Sequence, residues 1–108
     1  MAEKVNIVMD QGTTFNTTYL FTDDNDVPID FSTYTANSQM RKSYTSTTAY
    51  AFTVGLSNSG VITLSMSAAN SSAISAGRYL YDLEVQDMNG VRSRLVEGIV
   101  TVTPEITR

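Results

Sequence analysis

Apolar residues recur at every second position along most of this chain, in short runs separated by polar turns. That period places one side of each run against a core and the other against solvent, the signature of half-buried strands. Over 3–9, Val5, Ile7 and Met9 share a side, and Asp10-Gln11-Gly12 ends the run. Phe15, Thr17, Tyr19 and Phe21 form the next side, followed by the turn Asp23-Asp24-Asn25-Asp26. A short run over 27–31 contains Pro28, which suits an edge strand because proline has no ladder donor. Over 34–42, Tyr34, Ala36, Ser38 and Met40 alternate inward, and Tyr50, Phe52, Val54 and Leu56 do so in the run after it. Ser57-Asn58-Ser59-Gly60 reads as a hairpin loop, and Ile62, Leu64 and Met66 as the inward side of 61–66. The stretch 67–74 is the one helical piece: Ser67 can cap it, and Ala68, Ala69 and Ala73 permit it, until Gly77 ends it.

The last hairpin carries the most local information. Asn89-Gly90 between two alternating runs predicts a two-residue type I′ turn. That turn pairs Asp87 with Arg92, Val85 with Arg94, Leu83 with Val96, Tyr81 with Gly98 and Tyr79 with Val100 on the apolar side. Gly98 then leaves room for the Tyr81 ring. The reverse side pairs Gln86 with Ser93, Glu84 with Leu95, Asp82 with Glu97 and Leu80 with Ile99. Seven or eight short strands with a turn about every ten residues predict an all-β protein, an immunoglobulin-like antiparallel β-sandwich with one short helical connection. A small open barrel is the alternative.

Length and composition narrow the chemistry. The 108 residues suffice for one domain, 1–108, with one core. Ser and Thr supply 27 of them and only 17% are charged, so strands are favoured and disorder is not. There is no Cys, His or Trp, which removes disulfides, thiolate zinc sites, cysteine nucleophiles and the Ser-His-Asp triad. A net charge of −4 with scattered Lys and Arg lacks the basic stripe nucleic acid needs. No run approaches the ~20 apolar residues of a membrane span, and the N-terminus lacks the order of a signal peptide. No cofactor or metal, no nucleic acid and no membrane are therefore expected.

Several clusters invite chemistry. The acidic turn at 23–26 with Asp30 could offer oxygen ligands to calcium, but without the loop pattern of a calcium hand a solvated turn is the simpler reading. Asp82 opposite Glu97 resembles a glycosidase carboxylate pair, yet a flat sheet face is no cleft. A cation, an arginine or solvent must relieve their repulsion. Arg92 and Arg94 either grip an acidic partner or pair locally with Asp87. Leu80, Leu95 and Ile99 among Asp82, Glu84 and Glu97 form either a docking face or a face covered by another element. The first strand and the tail 103–108 are candidates to extend a neighbour's sheet.

The ordered series QGTTF (11–15), DVPIDFSTYTANSQMR (26–41), SGVITLSMS (59–67), AGRYLYDLEV (76–85) and NGVRSRLVEGIVTVTPEITR (89–108) resembles small tailed-bacteriophage structural proteins. Their immunoglobulin-like domain is related to the N-terminal domain of phage upper baseplate proteins. In the resemblance, Gly77, Tyr79, Tyr81, Leu83 and Val85 match the penultimate core strand, Gly98, Val100 and Val102 the last, and Pro28 and Ile29 a turn-and-strand element. It implies a non-enzymatic virion component, made in the host cytoplasm and assembling in multiple copies, symmetrically, with other virion proteins. The tail, baseplate or fibre-attachment region is the expected location. Ending at Arg108, the chain is expected to act as an adaptor, plug or decoration rather than a receptor binder. A capsid decoration protein of the same fold is the alternative. In another class, a carbohydrate-binding module would use Tyr19, Tyr34, Tyr44 and Tyr50.

Overall fold

A computed structural model describes residues 3–43 and 45–104. The strands are β1 (Glu3–Lys4), β2 (Ile7–Asp10), β3 (Phe15–Leu20), β4 (Thr35–Arg41), β5 (Tyr50–Ala51), β6 (Thr53–Leu56), β7 (Val61–Met66), β8 (Gly77–Gln86) and β9 (Arg92–Thr103). A single-turn helix, α1 (Ala68–Ser72), connects β7 to β8. One sheet runs β1/β2–β9–β8–β4–β5 and the other β3–β7–β6. They pack face to face as a sandwich, as the alternation predicts. Met9, Met40, Tyr79, Tyr81, Leu83, Val85, Val96, Val100 and Val102 meet Phe15, Ile62, Leu64 and Met66 in the core. Burying Ile62, Leu64 and Leu83 completely is worth about 1.5–3 kcal/mol each.

Two predicted strands are broken. The run 50–56 splits at Phe52: β5 pairs with β4, then β6 crosses to pair with β7. The first strand is interrupted at Val5–Asn6 and runs parallel, not antiparallel, to β9. Its break has one cause. Val5 N–H donates to Glu97 O at 3.0 Å, so a regular parallel ladder would next bring Ile99 N–H to Val5 O. Val5 O instead accepts from the Tyr81 hydroxyl at 2.7 Å, and Asn6 Oδ1 takes Ile99 N–H at 3.0 Å. Because Tyr81 donates to a carbonyl, the Tyr19 hydroxyl 2.9 Å away donates to Tyr81. The chain Tyr19–Tyr81–Val5 thus ties β3 of one sheet to β8 and to the first strand of the other. Burial first, and then Tyr19, pushes the Tyr81 phenol well above its ordinary range. The same turned peptide explains Gly98. A Cβ there would strike the Val5 carbonyl and press on Asn6 Oδ1, so the constraint is backbone rather than the Tyr81 ring.

Segment 27–31 is not a strand. Pro28 makes an isolated bridge to Thr22, Ile29 N–H goes to Phe21 O at 3.1 Å, and Phe31 N–H goes to Ser57 O at 3.0 Å. The hairpin tip also departs from expectation. A type I′ turn needs positive φ at Asn89, whereas only Gly90 has it there (φ 82°). The loop is instead a type I turn closed at Gly90, with Gly90 N–H to Asp87 O and Asp87 N–H to Val91 O. Gln86 therefore faces Arg92, Val85 faces Ser93 and Glu84 faces Arg94, until a β-bulge at Leu95 restores the predicted register from Leu83–Val96 onward.

Asp87 directs this choice, since its Oδ1 accepts from Asn89 N–H and Val91 N–H at 2.9 Å each. The same construction recurs twice at this end of the sandwich. Asp23 Oδ1 accepts from Asn25 and Val27 N–H, and Ser57 Oγ from Ser59 and Val61 N–H. Each loop puts positive φ at its fourth residue: Asp26 (61°), Gly60 (79°) and Gly90 (82°). At the opposite end Ser67 Oγ caps α1 through Asn70 N–H, and Ser71 Oγ reaches Thr13 O at 2.7 Å. The Tyr79 hydroxyl donates back to Ser75 O at 2.7 Å, the tyrosine corner of immunoglobulin-type sandwiches.

Tyr81→Phe removes the donor to Val5 O and the acceptor for Tyr19, and should cost about 1–3 kcal/mol; Tyr19→Phe, which leaves the Tyr81–Val5 bond, should cost less. Urea midpoints with unchanged slopes check this order, and equal losses would contradict it.

Candidate functional site

The outer face of the larger sheet is built from rows of side chains that ladder pairing sets side by side. Arg41, Leu80 and Ile99 form one row; Gln39, Asp82, Glu97 and Lys4 the next; Asn37, Glu84 and Arg94 a third. Their outward direction follows from the inward set Ser38, Met40, Tyr79, Tyr81, Leu83, Val96 and Val100, because successive side chains alternate. The first two rows line an open groove of about 550 Å³, with Leu80 and Ile99 as apolar floor and Lys4, Asn6, Arg41, Ser43 and Glu84 around it.

Of the expected face, Leu80, Asp82, Glu84, Glu97 and Ile99 come together, all half-buried. Leu95 does not join them. As the extra residue of the bulge it has no partner on β8, and it packs against the core. The same bulge carries Arg94 to the outer face. Its Nε lies 3.3 Å from Asp82 Oδ2 and its Nη1 3.3 Å from Glu97 Oε2. The cross-strand carboxylates are thus relieved by an arginine of their own chain. Arg92 hydrogen-bonds Gln86 Oε1 at 3.3 Å, and neither arginine pairs with Asp87, whose carboxylate serves its loop. No described element lies over Leu80 and Ile99; α1 sits instead against the turn at Thr13.

Asp82 is held above its usual carboxyl range. Burial contributes most and the Glu84 charge adds to it; Arg94 opposes, Glu97 raises again and Arg41 opposes. Arg41 is oriented by donating to Ser46 O at 2.6 Å and Gln39 Oε1 at 3.2 Å. Gln39 and Arg41 form a wall that the hairpin register alone misses. The alternation of Ala36, Ser38 and Met40 inward was the signal that could have placed them outward.

The other candidates have local roles. The acidic turn braces itself through Asp23, and Asp30 accepts from Ser32 N–H at 2.9 Å, which lowers its pKa. No cluster of three metal-ligating side chains occurs among the described residues. Tyr19 bonds Tyr81, Tyr34 packs edge-on against Phe31, and Tyr50 edge-on against Tyr79, so these rings serve packing rather than an exposed platform. Tyr44 and the tail beyond Pro104 lie outside the described residues.

No protein-family model matches the chain, and no curated protein does. Among solved structures, an internalin-like protein of Listeria monocytogenes is similar over 94% of this chain and 28% of its own, with 14% identity and a TM-score of 0.51. A family 123 glycoside hydrolase from Clostridium perfringens is similar over 97% of this chain and 24% of its own, with 12% identity and a TM-score of 0.44. The chain thus spans well under a third of each. The first similarity shows a shared sandwich fold; the second carries no argument.

A carboxyl whose pKa is raised on folding stabilises the fold below its unfolded value, and that contribution is lost as pH rises through the folded value. For Asp82 the window opens at 3.8 and extends upward. Over it, the wild type should lose more stability with rising pH than Asp82→Asn. Urea unfolding across a pH series checks this, and parallel curves would contradict it.

Proposed function

We propose that this chain is a non-enzymatic structural protein of a bacteriophage virion, working through protein–protein assembly in the tail, baseplate or fibre-attachment region. The outer face of β8–β9 carries this reading. Leu80 and Ile99 lie adjacent on the stiff middle of a sheet, half-exposed in an open groove, with Asp82 and Glu97 on its rim paired to Arg94. An apolar centre with a polar rim is the composition of a protein interface. A partner side chain seated between the two residues buries apolar area at roughly 25 cal/mol per Å² before association costs. Asp82 and Glu97 share one guanidinium, which favours a structural over a hydrolytic use of the pair. The virion assignment draws on the ordered sequence resemblance.

Mass spectrometry of purified particles should find the chain at a small fixed copy number. Hundreds of copies per particle would move it to head decoration, and absence would sink the virion reading. The double variant Leu80→Ser, Ile99→Ser should keep its circular dichroism and melting behaviour yet enter particles at least tenfold less. Undiminished incorporation would contradict the assigned face.

A further inference from the structure

We infer that the free edge of β3 is a pairing edge for a second copy of this chain. β3 is the outermost strand of the smaller sheet, bonded only to β7. Phe21 N–H donates to Gly60 O at 2.8 Å, and this fixes the phase of the ladder. Antiparallel pairs alternate between bonded and non-bonded. The odd positions Phe15, Thr17 and Tyr19 therefore bond β7, while the N–H and C=O groups of Asn16, Thr18 and Leu20 point away from the sheet. All three residues are exposed, Leu20 at 65%, and no hydrogen bond from a described residue reaches these backbone groups.

Natural sheet edges are normally guarded by charges, proline, bulges, brevity or a covering segment. The other outermost strands are shorter than β3: β1 and β5 have two residues each, β2 and β6 four. β1 also carries Glu3 and Lys4, β2 ends in Asp10, and Phe31 N–H takes Ser57 O just past β6. β3 is six residues, Phe-Asn-Thr-Thr-Tyr-Leu, with no charge, proline or bulge.

The edge is complementary to itself. Antiparallel pairing about a twofold axis through Thr18 sets Thr18 against Thr18 and Asn16 against Leu20 of the other copy. Every outward N–H and C=O on both strands then finds a partner, and no like charges meet. Threonine opposite threonine is a favourable cross-strand pair. Each chain has one such edge, so the isologous contact closes as a dimer with a continuous sheet β6–β7–β3–β3–β7–β6. This surface is separate from the β8–β9 face, and the inference stands without the function proposed for it.

Sedimentation equilibrium on the purified chain should show reversible dimerisation. Amide exchange should slow at Asn16, Thr18 and Leu20 as concentration rises, with Thr17 and Tyr19 protected throughout. Thr18→Lys sets two ammonium groups face to face and should weaken the dimer at least tenfold with unchanged circular dichroism. If that variant misfolds, Thr18→Glu, which sets two carboxylates face to face at the same exposed position, should do the same. A monomer at all concentrations would overturn the inference, as would a dimer that leaves these three amides unprotected. Protection that appears only when another virion protein is added would give the edge to a foreign strand and also overturn it.

Discussion

The Tyr81 hydroxyl is the point on which the sandwich turns. It is buried between the sheets, accepts from Tyr19 and donates to Val5 O, so three segments distant in sequence are held by one oxygen. An unpartnered phenol at this depth would cost more than the bond itself supplies, so β8 has only one acceptable facing. Its consequences spread outward. The Val5 peptide must turn, Asn6 must replace the lost acceptor, and residue 98 must lack a Cβ.

Once Tyr81 is inside, Leu80 and Asp82 are outside, and the outer rows follow by alternation. The bulge at Leu95 then does two things. It packs an apolar side chain, Leu95, against the core, and it carries Arg94 to the carboxylates that need it. A strictly regular hairpin would put Arg94 on the apolar face and take from Asp82 and Glu97 the guanidinium they share. The irregularity is what gives the cross-strand carboxylates a counter-charge from their own chain, and a charged rim around an apolar centre suits docking.

Alternation made β3, β4, β7 and most of β8 and β9 legible in the sequence, because a one-residue slip would turn a whole core face to water. Leu80, Asp82, Glu84, Glu97 and Ile99 were placed on one face by that logic. Leu95 was not, because Asn-Gly fits both a two-residue turn and the end of a longer loop, and the Asp87 side chain decides between them. Gly98 was recognisable as a close approach, but its neighbour was not: Val5 and Tyr81 lie 76 positions apart, and no local pattern links them. Pro28 suggested an edge strand where the backbone makes a bridge only, since its flanking donors go to Phe21 and Ser57.

Burying the Tyr81 side of β8–β9 leaves its reverse free for the neighbouring subunit proposed above. Carbodiimide labelling of carboxylates, compared between the free chain and the assembled particle, tests that link most directly. Asp82, Glu84 and Glu97 should be modified in the free chain and protected in the particle, with Asp23 and Asp24 at the loop end unchanged. Equal labelling of Asp82, Glu84 and Glu97 in both states would contradict the account.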